Sequence, residues 1–276
     1  MNSGLPRDTC DRVHRFGVCG WDYADWRGPI YPERASRNFR GLPLLAQFTD
    51  FMEVNATFYH PMGGDRAVRW LDETPDPFTF VVKAYRGWTH DGAPPEGSAL
   101  TAFREIIDPM LERDRLEGVL AQYPPSLRVR NGQSPNLRSI ERLAKALAPA
   151  RIFVEVRDRS LYEPAFFRFL EERNIGFVNV DLPNLGTLPS LSTVNTGPVG
   201  YTRLHGRSIS GWKNPRATRD ERYDHLYVES ELDAIVDSLV TLAARVPRIL
   251  IAANNHFRAQ APAAIVALRS RLETGP

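Results

Sequence analysis

The chain has 276 residues, 42% of them hydrophobic and 25% charged, with 35 Lys and Arg against 33 Asp and Glu for a formal charge of +2. That much apolar material excludes a disordered chain and suffices for a sizeable core, while the near balance of charge excludes a global electrostatic footprint for nucleic acid or an acidic membrane. Two cysteines without a Cys-x-x-Cys spacing, Cys10 and Cys19, no apolar signal region in the opening residues and no run of about 18 apolar residues predict a soluble, cytoplasmic protein.

Residues 1–14 are polar and predict a flexible N-terminal segment, followed by a single domain over 15–276. Short apolar runs, each closed by a polar residue or a turn signal, predict strands at 16–20, 51–55, 78–83, 118–122, 152–157, 176–181, 199–205 and 249–254. Between them lie amphipathic stretches at 134–147, 164–173, 231–246 and 261–272, the first with Ser134 placed as its N-cap. Strict alternation of strand and helix implies a parallel sheet, and eight repeats favour an α/β fold closed as a (β/α)8 TIM barrel, which takes roughly 250 residues, over an open doubly wound sheet. Two connections are long, 21–40 and 206–224, and both leave the carboxyl end of a strand, the face that carries active sites in barrels. Trp21, Tyr23, Trp26, Tyr31 and Trp212 in these loops are placed to wall a pocket or to plug the rim.

The strand ends carry the chemistry. Strand two ends in Glu53 and Asn55, strand three in Lys83, strand four in Gln122, strand five in Glu155 and Arg157 and strand six in Asp181. Strand seven ends in Arg203 and His205, and strand eight in Asn254, Asn255 and His256. Side chains alternate in direction along a strand, so Glu53 and Asn55 share a face, as do Glu155 with Arg157 and Arg203 with His205. Burying so many polar groups costs stability, each imperfectly satisfied one about 1–3 kcal/mol, so their accumulation at one end predicts a functional mouth rather than a mere set of salt bridges.

Roles follow from residue type. Glu53, Glu155 and Asp181 are candidate catalytic acids and bases, and His205 is the candidate for proton transfer near neutral pH. Lys83, Arg157 and Arg203 form a cationic wall for phosphate or carboxylate, and Asn55, Gln122, Asn254 and Asn255 are candidate readers of hydroxyls. No Gly-x-Gly-x-x-Gly, no Gly-x-x-x-x-Gly-Lys-Ser/Thr and no Gly-x-Ser-x-Gly occurs, so no cofactor is predicted. A divalent metal on Glu53, Glu155, Asp181, His205 or His256 is the weaker alternative, since no paired-histidine spacing supports it and the nearby cations oppose it.

These motifs carry a resemblance. Gly20-Trp21 with Trp26, Gly28 and Tyr31-Pro32, then Glu53-Val54-Asn55 with Phe58-Tyr59, Lys83, Gln122-Tyr123-Pro124, Glu155-Val156-Arg157, Asp181, Arg203-Leu204-His205-Gly206 and Asn254-Asn255-His256 follow one another in an ordered series. Over nearly its whole length the chain resembles the YecE-like proteins, the family called domain of unknown function 72. The resemblance implies a TIM barrel with these motifs at its mouth, adds Trp21, Tyr59 and His256 to the candidate binding residues, and implies no reaction. The chain departs from the family pattern at Asp158 and Leu161, where a histidine and a tryptophan are usual, and at Cys19, where serine is common. The expected function is acid–base chemistry, of isomerase or hydrolase type, on an anionic, hydroxylated sugar-like or phosphorylated small molecule. The alternatives are a metal-dependent phosphodiesterase acting on nucleic acid, after the manner of endonuclease IV, and a noncatalytic ligand-binding module.

Overall fold

The short apolar runs form eight strands: β1 (His14–Cys19), β2 (Phe51–Val54), β3 (Thr79–Lys83), β4 (Leu116–Gln122), β5 (Ile152–Glu155), β6 (Gly176–Asp181), β7 (Gly200–Leu204) and β8 (Ile249–Ala253). A computed structural model describes residues 14–60, 62–132 and 135–274 of the chain. The strands pair in parallel in chain order, and β1 also pairs with β8, so the sheet closes into the expected barrel. Helices α1 (Gly41–Leu45), α2 (Asp65–Asp72), α3 (Arg86–Thr89), α4 (Gly97–Glu112), α5 (Arg138–Leu147), α6 (Pro164–Glu171), α7 (Ile209–Lys213), α8 (Arg219–Arg222), α9 (Glu229–Ala243) and α10 (Gln260–Thr274) accompany it. None of the described helices is long and apolar enough to cross a membrane.

The flexible segment expected over 1–14 lies outside the described residues except for His14, which opens β1 opposite Ile249. Ser134, expected as an N-cap, also lies outside them; α5 begins at Arg138, whose backbone N–H is accepted by Asn136 Oδ1 at 3.0 Å. The strict alternation of strand and helix breaks once. No helix follows β6, and the chain returns through residues 182–199 as an irregular segment. Asn179 holds that segment where a helix would pack: its Oδ1 accepts from Ser192 Oγ at 2.6 Å and Val194 N at 3.0 Å, and its Nδ2 donates to Val194 O at 2.8 Å. The backbone groups that a helix would have satisfied internally are thus partly met by one side chain.

Two apolar clusters divide the protein. The larger fills the space between strands and helices, and the smaller occupies the lumen, with Phe51, Val81, Leu120, Phe153, Val178, Tyr201 and Leu250. Glycine makes room for the two lumen phenylalanines. A Cβ on Gly17 would stand 2.6 Å from the Phe51 carbonyl oxygen, and Cβ atoms on Gly118 and Gly176 would meet the Phe153 ring at 2.7 and 2.6 Å. Two residues beyond this layer, on the same face, stand Glu53, Lys83, Gln122, Glu155 and Arg203, and four beyond Leu250, past the end of β8, stands Asn254. The lumen changes from apolar to ionic in one step of the pleat.

Candidate active site

Arg203 is the hub of the ionic layer. Its Nε and Nη2 donate to Glu53 Oε2 at 2.8 Å and Oε1 at 2.6 Å, a bidentate pair, and its Nη1 donates to Glu155 Oε2. The Tyr201 hydroxyl donates to Glu53 Oε2 at 2.5 Å, and Arg157 Nε stands 2.5 Å from Glu155 Oε1. Two carboxylates facing two guanidinium groups neutralise one another, which is the condition under which charges survive in a low-dielectric interior. Burial alone would raise the Glu155 carboxyl, but Arg157 and Arg203 outweigh it and hold it well below the usual carboxylate range. Arg203 is correspondingly held well above the ordinary range: burial opposes its charge, and Glu155 and Glu53 overcome that.

This geometry alters three expectations. Glu53 and Glu155 are both fully buried and occupied by guanidinium groups, so they act here as counter-charges rather than as free acids and bases. Arg157 and Arg203 are likewise neutralised, leaving Lys83 as the uncompensated cation of the expected wall. His205 does not titrate near neutral pH: burial and the Arg157 charge push it down to about 3. Asn254 Nδ2 lies 3.0 Å from its Nδ1, and its Nε2 lies 3.4 Å from both Glu155 Oε1 and Arg203 Nη1.

Lys83 is only partly buried, and its Nζ donates to Gln122 Oε1 at 2.8 Å while standing 4.2 Å from the centre of the Phe58 ring. Burial and the Arg203 charge, opposed by Glu53 and Glu155, bring its pKa down to about 8. That is nearer to neutrality than His205, at about 3, or His256, whose pKa is lowered to about 4. Asn55, Trp21 and Tyr59 lie to one side, in a recess of about 520 Å³ that opens at the ends of β1 and β2.

Asp181 and Asn255 do not join the cluster. On β6 the residues facing the lumen are Val178 and Val180, so Asp181 points outward. There its carboxylate accepts from Arg207 Nε at 3.0 Å and Nη2 at 2.7 Å and from the Tyr227 hydroxyl at 2.7 Å. Asn255 donates to the carbonyl of His225 at 2.9 Å, and His225 Nε2 in turn lies 2.8 Å from Glu231. His256 stacks on Tyr23, ring centres 4.5 Å apart, and burial and the Arg219 charge lower its pKa to about 4. Trp26 and Tyr31 tie the first long loop down, donating to the carbonyls of His256 and Trp21 at 2.7 and 2.6 Å.

The second long loop, with α7 and α8, roofs the mouth. Trp212 lies against Arg157 at 5.6 Å, and the Tyr223 ring is 6.0 Å from His205 and 5.5 Å from His256. Among the described residues no group of three or more His, Cys, Asp or Glu side chains is arranged to hold a metal ion. The physical reason is that guanidinium groups stand between Glu53 and Glu155, while Asp181 and His256 face elsewhere. The sequence reading passed over Tyr201, Arg207 and Tyr227. Tyr201 was open to it, being two residues before Arg203 on one face of a strand.

A family model described as "Protein of unknown function DUF72" matches residues 15–276. The UPF0759 protein YunF of Bacillus subtilis (strain 168) is 27% identical over 259 residues, spanning 87% of this chain and 88% of that protein. The crystal structure of a DUF72 family protein from Thermotoga maritima MSB8 superposes with a TM-score of 0.81 at 29% identity, covering 95% of this chain and all of the other (100%). One from Enterococcus faecalis V583 gives the same TM-score of 0.81 at 21% identity, over 95% and 96% of the two chains, and shows the shared fold.

Proposed function

The chain belongs to the DUF72 family, and from that premise we propose that it is an enzyme performing acid–base chemistry on an anionic, hydroxylated small molecule, sugar-like or phosphorylated, at the carboxyl end of its barrel. The observation that carries this reading is Lys83, whose ammonium group stands at the mouth with its pKa brought down to about 8 beside a neutralised ionic layer. A positioned proton donor or acceptor with a pKa near the working pH contributes typically 10²–10⁴-fold to a rate. As the amine, Lys83 takes a proton from a carbon beside a carbonyl or from a hydroxyl; as the ammonium, it returns the proton at the neighbouring atom. Gln122 fixes the direction of its Nζ, and the Arg203 and Arg157 charges beneath oppose its protonation. Asn55 is the side chain suited to read a hydroxyl, having a buried Oδ1 with no partner.

The test is solvent exchange. A panel of aldose and ketose phosphates incubated with the protein in D₂O, followed by proton NMR, should show deuterium entering beside the carbonyl of one of them. The rate should change through an apparent pKa near 8, matching Lys83, and Lys83→Met should lower it by about 10³-fold. Exchange that persists in Lys83→Met would sink this assignment, and a panel that neither exchanges nor binds would sink the reading as a whole.

A further inference from the structure

We propose that the substrate's phosphate is held outside the mouth, by Arg66 and Arg69 of α2 and Arg219 of α8, with the ring it belongs to lying against Trp21 and Tyr59. This rests on the reading of the substrate as an anionic, hydroxylated molecule, and it names which part of that molecule binds where.

The guanidinium groups of the mouth are already matched by carboxylates, Arg203 by Glu53 and Glu155 and Arg157 by Glu155, which leaves there Lys83, the group assigned to proton transfer. An anion needs charge that is not already neutralised. The recess beside the mouth has it. Arg66, Arg69 and Arg219 line it, against Asp22 as its carboxylate. Of the acidic residues within four positions of Arg69, Asp72 is taken by Arg113 at 2.7 Å and Glu73 by Arg40 at 3.4 Å, while Asp65, at the start of α2, makes no ion pair with either arginine among the described residues. Arg66 and Arg69 have no ion pair among the described residues, and Arg219 has only its chain neighbour Asp220 at 3.7 Å, with its guanidinium over the Tyr23 ring. Arg66 and Arg69, three positions apart on α2, are neighbours on its surface, and two guanidinium groups so placed can reach one phosphate.

The recess also has what a ring needs. Tyr59 is 51% exposed, unusual for a large aromatic side chain, and Trp21 is braced edge to face by Trp70 at 5.3 Å. At about 520 Å³ it falls within the range of small-molecule pockets, roughly 300–1,000 Å³. Asn55 sits at its inner end, where β2 finishes, and presents the unpartnered Oδ1 to a donor such as a sugar hydroxyl. Tyr59 packs edge-on against Phe58, and Lys83 lies over Phe58, so one ring separates this wall of the recess from the proton-transfer group. A phosphate anchored at the rim therefore spends its binding energy on placing the reacting carbon, which is how remote groups raise turnover. Because Arg219 rides on the segment that roofs the mouth, the same phosphate ties that roof to α2.

Calorimetric titration of the full chain with ribose 5-phosphate and with ribose tests the inference without requiring turnover. The phosphate ester should bind at least about tenfold more tightly than ribose, and Arg66→Ala/Arg69→Ala should remove at least about tenfold of that affinity. Lys83→Met should leave it within about threefold. Both arginines are exposed, so the double variant should match the wild type in thermal unfolding, and Arg66→Lys/Arg69→Lys should recover part of the lost affinity. If Lys83→Met abolishes binding and the arginine variant does not, the phosphate sits in the mouth; this inference is then overturned while the acid–base reading stands. A wild type that does not distinguish ribose 5-phosphate from ribose overturns it as well. So does a short oligothymidylate that binds far more tightly than ribose 5-phosphate with a steep salt dependence, which would identify a polymer instead. Failure of the deuterium exchange with these affinities intact would count against the chemistry alone.

Discussion

At the level of single residues the protein carries the cost of a charge taken partly out of water. Burial and the Arg203 charge bring Lys83 to about 8, against 10.5 for an ordinary lysine. Between those two values the unfolded chain binds more protons than the folded one, so the contribution of Lys83 to stability rises with pH through that window and is unfavourable below it. Lys83→Met should therefore stabilise the protein at pH 7 by about 1–2 kcal/mol, less than the full shift implies because the group is part exposed and gives up its bond to Gln122. The gain should fade as the pH is raised from 8 to 10.5, where the wild type sheds the charge as well. Urea unfolding of both proteins at pH 7 and pH 10 measures it. A variant less stable than the wild type at pH 7 would mean that contacts to the ammonium outweigh its desolvation, and the strain ascribed to Lys83 would be absent.

Among the elements, the roof segment has its two ends fastened to a single carboxylate. Arg207, where the segment leaves β7, and Tyr227, where it rejoins the barrel, both bond to Asp181, and the Gly206 N–H donates to the Tyr227 hydroxyl at 3.0 Å. Inside the segment α7 and α8 touch closely, since a Cβ on Gly211 would stand 2.2 Å from the Glu221 carbonyl oxygen. The pair can thus move as one body once its ends are freed. Asp181→Asn removes the charge and keeps the shape, a loss of about 2 kcal/mol for charge-assisted bonds and on the order of 30-fold in opening. Amide hydrogen exchange should quicken over 206–228 and stay unchanged in the strands; uniform quickening would make Asp181 a general stability residue instead. The outward direction of Asp181 was legible beforehand, because Val178 and Val180 alternate with it and only one of the two sets can line the lumen. So was the irregular return from β6 to β7: Pro183, Gly186, Pro189 and Pro198 suit no helix. Its tether to Asn179 was not legible, since Ser192 and Val194 are distant in sequence and reach Asn179 only once the chain has turned back.

Across the whole molecule, what could be read in advance and what could not divide at barrel closure. Short continuous apolar runs mark the strands to within a few residues, because each strand's pattern is local. Partners across the lumen are not local. Arg203 and Glu53 are 150 positions apart and meet only because β7 and β2 face each other, so neither the saturation of the carboxylates nor the burial that silences His205 shows in the sequence. The same closure lets the ionic layer be tested as a unit. Arg203→Met alone leaves Glu53 buried with only the Tyr201 hydroxyl, and should cost about 3–5 kcal/mol. Removing all three partners together, as Tyr201→Phe/Glu53→Leu/Arg203→Met, leaves Glu155 balanced by Arg157 and continues the apolar layer of Phe51, Leu120 and Phe153 upward. Its urea midpoint should return to within about 1 kcal/mol of the wild type, since apolar replacements of buried ion pairs are commonly neutral or stabilising. A triple variant no more stable than Arg203→Met would show that the barrel needs these charges to stand. Recovery would show that it does not.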